Sequence, residues 1–193
     1  MEKVLFIKKI YRFRIFSALI CFLLLGGCAK YSDEVQVNLT KLKTTKSCLG
    51  CDLTGVELVA FDLKNADLSG ANLSGANMTR VDLAEANLTN ANLTDAILVS
   101  ATLTDAKLAN TNLSRVKLSY ANINETDISD SVLVGASMNS SKILNSKISD
   151  TNMAGANLHS ANLTGTKIYS KILKDSLLCK TIMPSGQRDD TGC

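Results

Sequence analysis

Large rings and sharp chain breakers are scarce in this sequence of 193 residues. Tryptophan is absent, aromatic residues make up 5%, and there is one proline and one histidine. The histidine, His159, has no clustered thiol around it, which is typical of a surface residue rather than a metal ligand. The sequence also contains no recognisable arrangement of nucleophile, base and orienting acid, and no glycine loop of the phosphate-binding kind. These absences argue against an enzyme, and no metal or other cofactor is expected.

What the sequence contains instead is a period of five that runs through residues 51–185 without a change of phase. The middle residue of each five, from Leu53 to Met183, is Leu, Ile or Met in all 27 cases. Two places earlier stands Ala, Ser, Thr, Val or Cys in 25 of the 27, Phe61 and Lys171 being the exceptions. The last residue of each five is Gly, Asn, Asp or Ser in 20 cases, and these residue types promote turns.

A period of five excludes both regular elements as the carrier of this Leu column. Five residues advance about 500° on an α-helix, so successive Leu residues would form no stripe. Five is also odd, so along a flat strand the Leu residues would alternate between the two faces. A chain that turns a corner after every five residues avoids this, because each short extended piece points its small residue and its Leu to the same side. The pattern therefore predicts a solenoid with a Leu column beside a small-residue column inside.

The run Ala-Asp-Leu-Ser-Gly-Ala-Asn-Leu-Ser-Gly-Ala-Asn-Met at residues 66–78 resembles the pentapeptide-repeat family, whose motif is A(D/N)LxX. The resemblance extends over about 70% of the chain. It implies an all-β fold, a right-handed quadrilateral parallel β-helix with four pentapeptides per coil and about six to seven coils. With stacked strands about 4.8 Å apart, this pentapeptide-repeat solenoid would be about 30 Å long. A coil this narrow has no room for large rings, which accounts for the scarcity of aromatics.

The flanks of the repeat predict caps for the two open ends of the solenoid. Residues 28–50 are predicted to form a tether and an N-terminal cap, in which Val35, Leu39 and Leu42 have the spacing of a short amphipathic helix. At the other end, residues 186–193 are predicted to form a capping tail that folds back over the last coil. That coil should be irregular around Lys171. Three apolar residues at outward positions there make an end-to-end homodimer conceivable: Ile172, Leu177 and Ile182.

Residues 1–27 are predicted to form a secretory signal. Its basic residues are Lys3, Lys8, Lys9, Arg12 and Arg14. The apolar stretch that follows, residues 15–25, is too short to span a bilayer stably. The Leu-Gly-Gly-Cys run that ends at Cys28 resembles the bacterial lipoprotein box, which implies cleavage before Cys28 and a diacylglycerol on its thiol. A plain signal peptide and an uncleaved anchor are the alternatives.

This signal also predicts where the protein lies and what charge it carries there. Because Ala29 rather than Asp follows Cys28, the lipoprotein would reach the outer membrane of a Gram-negative cell, on its periplasmic side or at the surface. Removal of residues 1–27 takes away five basic residues and one acidic residue, and so changes the formal net charge from +3 to −1. That charge gives no reason to expect a nucleic-acid partner.

The remaining cysteines are Cys48, Cys51, Cys179 and Cys193. A joint zinc site is excluded, because Cys51 and Cys179 would lie more than six coils, or about 30 Å, apart along the rod. Cys48–Cys51 and Cys179–Cys193 are candidate disulfides, since an exported protein lies in an oxidising compartment. A thioredoxin-like redox site at Cys48–Cys51 is the alternative. It requires a helix N-terminus and a low thiol pKa, whereas Cys51 falls in the inward column.

The first functional hypothesis is a membrane-anchored, non-catalytic lipoprotein that acts as a structural scaffold or protein-interaction rod in the bacterial envelope. Its partner would be an unknown protein or an envelope polymer, and its membrane contact the lipid on Cys28. The candidate interaction surface comprises Val59, Ile97 and Val99, which share one face if a coil has four sides, and the pair Val132 and Val134. Scattered exposed aliphatic residues are also normal on soluble proteins.

The alternative hypothesis is DNA mimicry, because some pentapeptide-repeat proteins resemble an acidic duplex and bind gyrase. Mimicry needs a strongly acidic rod and a cytoplasmic address, whereas residues 51–185 contain 13 acidic and 11 basic residues. The charge is uneven along the repeat, with eight acidic and two basic residues in 51–105, and five acidic and nine basic residues in 106–185. A thiol-disulfide redox protein is the second alternative.

Overall fold

The computed structural model describes residues 30–193, of which Asp33–Cys193 form one compact unit. Within this part of the chain the regular elements are α1 (Asp33–Thr45), β1 (Lys147–Ile148), β2 (Lys167–Ile168), α2 (Ser170–Leu173), β3 (Thr181–Ile182) and β4 (Arg188–Asp189). Strand β1 pairs with β2 in parallel, and β3 pairs with β4 antiparallel. The rest of the fold is built from shorter pairings.

Single parallel β-bridges carry most of the fold, and each joins residues that are 20 positions apart. They run from Ser47 with Asp67 to Asn162 with Ile182. Twenty residues are four pentapeptides, so one turn of the chain has four sides. In each pentapeptide the second residue donates to the coil before it, and the Leu and the corner residue donate to the coil after it. Along most of the ladder only the second residue forms a bridge, which is why the strands are too short to count as conventional ones.

The interior consists of the two predicted columns. Every residue at the Leu position from Leu53 to Leu163 is at most 2% exposed. Each such burial contributes about 1.5–3 kcal/mol, and the ordering of the backbone opposes most of the sum. The small-residue column is buried beside it except at three positions: Phe61 and Ser176 are half-buried, and Lys171 is exposed. The prediction of both columns and of their two exceptions is confirmed.

Hydroxyl groups replace methyl groups in the small-residue column of the C-terminal half. The hydroxyl of Thr111 donates to the Leu88 carbonyl at 3.0 Å, and that of Thr126 donates to the Leu103 carbonyl at 2.7 Å. Six further residues do the same toward carbonyls 23 positions earlier: Ser131, Ser146, Thr151, Thr166, Ser176 and Thr181. Because each buried hydroxyl has an acceptor, these polar residues fit the core without a desolvation penalty.

The corner of each side lies at the last residue of the pentapeptide, as predicted. Every fifth residue from Gly50 to Gly165 has a positive φ, including bulky ones such as Arg80 (φ 58°) and Tyr120 (φ 61°). A residue with a Cβ loses about 1–2 kcal/mol in this left-handed conformation. The ladder offsets part of that cost, since the N–H at each corner also bonds to the next coil, as from Arg80 to the Val99 carbonyl at 2.9 Å.

Helix α1 covers the N-terminal end of the ladder. Val35 and Leu42 are 5% and 0% exposed, and Leu39 is half-buried, so the predicted apolar side of the helix faces the first coil. The amide of Asn38 donates to the Asp52 carbonyl at 3.0 Å. That carbonyl lies on the open edge of the first coil, and the helix thereby satisfies a polar group that has no preceding coil to bond.

The ladder starts one pentapeptide earlier than the predicted boundary at residue 51. Ser47 already bridges to Asp67, and Cys48 occupies a Leu position with 0% exposure. Sequence reasoning set the boundary at 51 because the column was defined by Leu, Ile and Met. A cysteine fills the same inward site because it is small and apolar.

The C-terminal end departs from a purely β fold, because α2 replaces one side of the last coil. Within residues 30–193 no bridge joins Asn152 to the chain 20 positions later, although the ladder resumes with Asn157 and Leu177. The cause lies at Lys171, whose charged side chain cannot enter the inward column. The chain winds outward into a single helical turn there, and Leu173 still fills the inward Leu position at 3% exposure.

The tail folds back over the last coil as an antiparallel hairpin of β3 and β4, with Ile182 opposite Arg188. This hairpin crosses the predicted boundary at residue 186, so the last repeat and the tail form one capping element. Leu178 and Met183 are only half-buried beneath it, which shows that the core becomes shallower at this end.

Candidate interaction surfaces

Two disulfides lie at opposite ends of the ladder. Cys48 is joined to Cys51 with a Cα–Cα distance of 5.3 Å, and Cys179 to Cys193 with 4.7 Å. Cys48 and Cys51 are 0% and 7% exposed, and the Cys48 sulfur lies 3.4 Å from the Asn38 carbonyl of α1. A redox catalyst needs a thiolate that an external disulfide can reach. The burial of this pair beneath α1 therefore disfavours the redox interpretation and fits a structural crosslink.

One predicted surface, the Val59 face, comprises Val59, Ile97 and Val99. Val59 is 42% exposed, whereas Ile97 and Val99 are half-buried. They share one side of the solenoid, since Ala60 bonds to Thr79 and Arg80 bonds to Val99 in the following coils. The coil between them carries Thr79, so the three aliphatic residues do not form a continuous patch.

An exposed aromatic residue on this side escaped the sequence analysis. Tyr120 is 64% exposed and follows Val99 by one coil, at the corner of the same side. The available signal was the one aromatic residue in the corner column of residues 51–185. Aromatic residues with a polar tip are common anchors in protein interfaces, so Tyr120 extends the candidate surface.

The second predicted surface lies on the neighbouring side. Val132 and Val134 are 38% and 37% exposed. Val132 is bridged to Asn112 and Asn152, and the N–H of Gly135 bonds to the Ala154 carbonyl at 2.9 Å. Val132, Val134 and the half-buried Ala154 together form the Val132 patch, which spans two coils.

A groove adjoins the Val132 patch where α2 bulges away from the coil below. Its volume is about 330 Å³. The lining residues are Asp150, Thr151, Asn152, Met153, Ala154, Lys171, Ile172 and Asp175. We refer to this feature as the α2 groove. No sequence signal located it, although the lysine that causes the bulge was recognised as an exception to the repeat.

Some of the charged side chains on the outside of the rod form ion pairs. The Arg115 guanidinium donates to both carboxylate oxygens of Asp95 at 2.7 and 2.6 Å, and this hydrogen bonding lowers the pKa of Asp95. Other pairs join Lys46 with Asp62 at 2.9 Å, Lys64 with Glu85 at 3.1 Å and Lys147 with Asp127 at 3.6 Å. These pairs are exposed and screened by solvent, so they contribute little to stability. With 13 acidic and 11 basic residues in 51–185, the rod does not reproduce the uniform negative charge of a duplex.

His159 is half-buried, and its backbone N–H donates to the Asn157 side chain at 3.0 Å. In residues 30–193 no group of three or more His, Cys, Asp or Glu side chains has the arrangement of a metal site. The helices of this part of the chain are too short or too polar to cross a bilayer. The predicted signal at residues 1–27 and the lipidation site Cys28 lie outside the described residues.

The five-residue repeat identifies the family to which this chain belongs. A family model for pentapeptide repeats matches residues 47–83, 62–98, 96–135 and 145–169, with eight copies, and these segments cover more than half of the chain. The chain belongs to the pentapeptide-repeat family. The family match begins at residue 47, where the ladder of this pentapeptide-repeat protein also begins.

Solved structures of other pentapeptide-repeat proteins resemble this one. HetL, involved in heterocyst differentiation regulation in Nostoc sp. strain PCC 7120, is 23% identical over 74% of this chain and 87% of its own, with a TM-score of 0.37. A protein of the Arabidopsis thaliana thylakoid lumen is 22% identical over 75% and 79%, with a TM-score of 0.42. QnrB1, a plasmid-mediated fluoroquinolone resistance protein, is 18% identical over 75% and 83%, with a TM-score of 0.36. A comparison with curated proteins finds no match. At these values the likeness carries no argument about what this protein binds.

Proposed function

We propose that this protein is an exported lipoprotein whose pentapeptide-repeat rod serves as a non-catalytic scaffold or interaction surface in the bacterial envelope. The observation that carries the proposal is the pair of disulfides at the two ends of the ladder. Structural disulfides persist in oxidising compartments and are rare in the cytosol. The basic and apolar segments of residues 1–27, followed by Cys28, supply the matching export signal.

The proposed rod is a right-handed quadrilateral β-helix of about six to seven coils, held at the membrane by lipid on Cys28. Acyl chains contribute about 0.8 kcal/mol per buried CH₂, so two or more chains anchor a protein firmly. The sides of the rod are then free to meet a protein or an envelope polymer. The Val59 face with Tyr120 and the Val132 patch are the surfaces through which it would do so.

Cell fractionation of a Cys28→Ala variant tests the anchor. The parent protein should sediment with the membrane, and the variant should appear in the soluble or precursor fraction. A Cys179→Ala variant is the matched control, because it also loses one cysteine but keeps Cys28, and it should fractionate as the parent does. Retention of Cys28→Ala in the membrane at the parental level would rule out lipidation as the anchor.

In-cell photocrosslinking tests the interaction surfaces. A photoreactive side chain at Val59, Tyr120 or Val134 should give a crosslinked product of defined mass, and mass spectrometry would identify the partner. Thr104, an outward residue on a third side of the rod, is the control position and should give no such product. The same product from all four positions, or none from any, would leave the rod without a specific partner surface.

A further inference from the structure

The α2 groove contains backbone donors that the ladder leaves unused. Along this side of the rod, the N–H at each Leu position donates to the following coil, as from Leu133 to the Asn152 carbonyl at 2.7 Å. In the next coil the corresponding donor is the N–H of Met153, for which no acceptor exists among the residues that the structure describes. The corner N–H of Asp150 also lacks an acceptor there, whereas that of Asp130 bonds to the Ser149 carbonyl at 2.9 Å.

The carbonyls that these two N–H groups would use in a regular ladder lie in the segment that winds into helix α2. The Tyr169 carbonyl, the ladder acceptor that the corner N–H of Asp150 would use, accepts instead from the Ile172 N–H at 2.9 Å. The ladder closes again at Gly155, whose N–H donates to the Asp175 carbonyl at 2.8 Å. The uncovered edge is therefore bounded by regular pairing before it and, after it, by a Gly155 bond that is shifted by one residue from the regular register. Met153 is a buried residue, so leaving its N–H without an acceptor is unfavourable, whereas Asp150 is exposed.

The groove resembles a short gap in a β-sheet, with N–H groups along one edge that are unpaired within residues 30–193. Its floor is the edge that carries the N–H groups of Asp150 and Met153, and Ile172 provides an apolar wall. The carboxylates of Asp150 and Asp175 line the groove, while the Lys171 ammonium lies 5.9 Å from the centre of the Tyr169 ring. A volume of about 330 Å³ is at the lower end of the range for ligand pockets.

We propose that the α2 groove binds a peptide segment of a partner protein, which pairs with the uncovered edge and bends at the corner as a coil of the rod does. The peptide supplies backbone carbonyls to the N–H groups of Met153 and Asp150, because an uncovered sheet edge is a ready template for another chain. A Lys or Arg side chain of the peptide lies between the carboxylates of Asp150 and Asp175. An apolar side chain can continue onto the adjoining Val132 patch. This inference rests on the proposed function and names the part of the rod that binds.

Amide hydrogen exchange on the purified full-length chain in detergent tests the premise. The amide protons of Asp150 and Met153 should exchange at least about tenfold faster than those of Leu133 and Leu158, whose donors are paired within the ladder. Protection of Met153 equal to that of Leu133 would mean that the edge is covered, and it would overturn the proposal.

Peptide selection tests the binding itself. Random heptapeptides displayed on phage are selected on the full-length chain, and synthetic copies of the selected peptides are titrated against it. The selected sequences should contain Lys or Arg next to β-branched residues, and their addition should slow amide exchange at Asp150 and Met153. A selection that yields only acidic sequences, or none, would overturn the proposal.

Two tryptophan variants locate the binding site. Ala154→Trp fills the groove from an outward position, and Ala84→Trp is its match elsewhere on the rod. Both alanines occupy the same place in the pentapeptide, with their N–H bonded to Asn152 at 3.1 Å and to Asp82 at 3.0 Å. Ala154→Trp should weaken the selected peptides at least tenfold, and Ala84→Trp should leave the affinity unchanged. Equal affinity for both variants would overturn the proposal.

The failure of this inference and of the proposed function can be told apart. Ala154→Trp keeps Cys28 and should fractionate with the membrane as the parent does. Peptides that bind without regard to residue 154, together with a membrane location that depends on Cys28, would remove the groove proposal alone. Loss of the Cys28 dependence would remove the anchor, and the peptide titration would still report on the groove.

Discussion

At the scale of single residues, each position of the pentapeptide has its own structural role. The Leu and the small residue fill the interior, the corner residue adopts a positive φ, and the polar second residue stabilises the turn. At that second position a carboxylate or amide oxygen accepts from the residue two places later, as Asp52 does from the N–H and the hydroxyl of Thr54 at 3.0 and 2.6 Å. The side chains outside the core therefore shape the turn as well as solvating it.

Leu93→Ala should lower the free energy of unfolding by about 2–5 kcal/mol, because Leu93 is 0% exposed and a close-packed column cannot collapse around the cavity. Urea or guanidinium titration measures the change. The matched control is Thr94→Ala, which removes a half-buried hydroxyl that donates to the Asn92 side chain at 2.7 Å and should cost about 1 kcal/mol. A similar loss in both variants would show that the Leu column does not carry the stability.

The free energy of unfolding should decrease at acidic pH because of the aspartates at the second position of the pentapeptides. Hydrogen bonds from the Thr54 and Ser69 side chains and backbones lower the pKa of Asp52 and Asp67 in the folded state. The unfolded chain, with pKa values of about 3.9, then binds more protons, so their contribution is present above that pH and is lost as the pH falls through the folded values. The urea midpoint should accordingly decrease between about pH 5 and pH 3.

The variant Asp52→Asn with Asp67→Asn should flatten this pH dependence without unfolding the turns. Asn112 makes the same bonds from Ser114, at 3.1 and 2.7 Å, which shows that an amide serves equally well at this position. The reverse variant, Asn112→Asp, should steepen the dependence. An unchanged slope in both variants would place the origin of the acid effect elsewhere.

At the scale of elements, the ends differ from the middle because a ladder end has no next coil. Helix α1 covers the N-terminal end, where Val35 and Leu42 are buried and the Asn38 side chain bonds to the first coil. The hairpin of β3 and β4 covers the other end, where it is held by the Cys179–Cys193 disulfide. The N-terminal helix was predictable from its own spacing, whereas α2 was not, since one turn of helix has no periodicity to detect.

Replacement of Cys179 and Cys193 by Ala should release the hairpin. The disulfide closes a loop with a sequence separation of 14, and chain entropy assigns about 3 kcal/mol to a loop of this size. Limited trypsin digestion should then cleave after Arg188 faster than in the parent. Replacement of Cys48 and Cys51 by Ala is the control and should leave cleavage at Arg188 unchanged. Equal cleavage rates in all three proteins would contradict a clamping role for the Cys179–Cys193 bond.

At the largest scale, the unit Asp33–Cys193 is nearly one-dimensional, since each coil contacts only the coils before and after it. Stability in such a solenoid is a sum of the intrinsic terms of the repeats and of their nearest-neighbour contacts. A destabilising substitution in one coil should therefore weaken the neighbouring coils and have little effect on the others. The two disulfides protect the ends, where a stack of this kind begins to open.

Double-mutant cycles test this nearest-neighbour behaviour. Leu93→Ala combined with Leu113→Ala, in the adjacent coil, should show a coupling of about 0.5–3 kcal/mol. Leu93→Ala combined with Leu163→Ala, more than three coils away, should be additive within about 0.5 kcal/mol. The cycles are measured by denaturant titration of the four proteins in each set. Strong coupling in the distant pair would show that the rod responds as one globular core.

The sequence by itself determined the interior and the corners. A column of Leu at every fifth place can be buried only if the chain turns after each five residues, and the small residue beside it sets the width of the coil. Both conclusions follow from local sterics that repeat without change, so they needed no knowledge of distant contacts. The same reasoning identified Phe61 and Lys171 as the two residues that do not fit, and both lie partly or wholly outside the core.

Only the tertiary structure decided what the exceptions do. The local structure at Lys171 depends on the cost of burying a charge, on the formation of α2 and on the bonds that Tyr169 and Gly155 make instead. None of these three contributions can be read from the sequence pattern. The unused N–H groups of Asp150 and Met153 result from these three contributions. Half-burial of Ile97 and Val99 was likewise set by neighbouring coils, because the exposure of an outward side chain depends on residues 20 positions away in either direction.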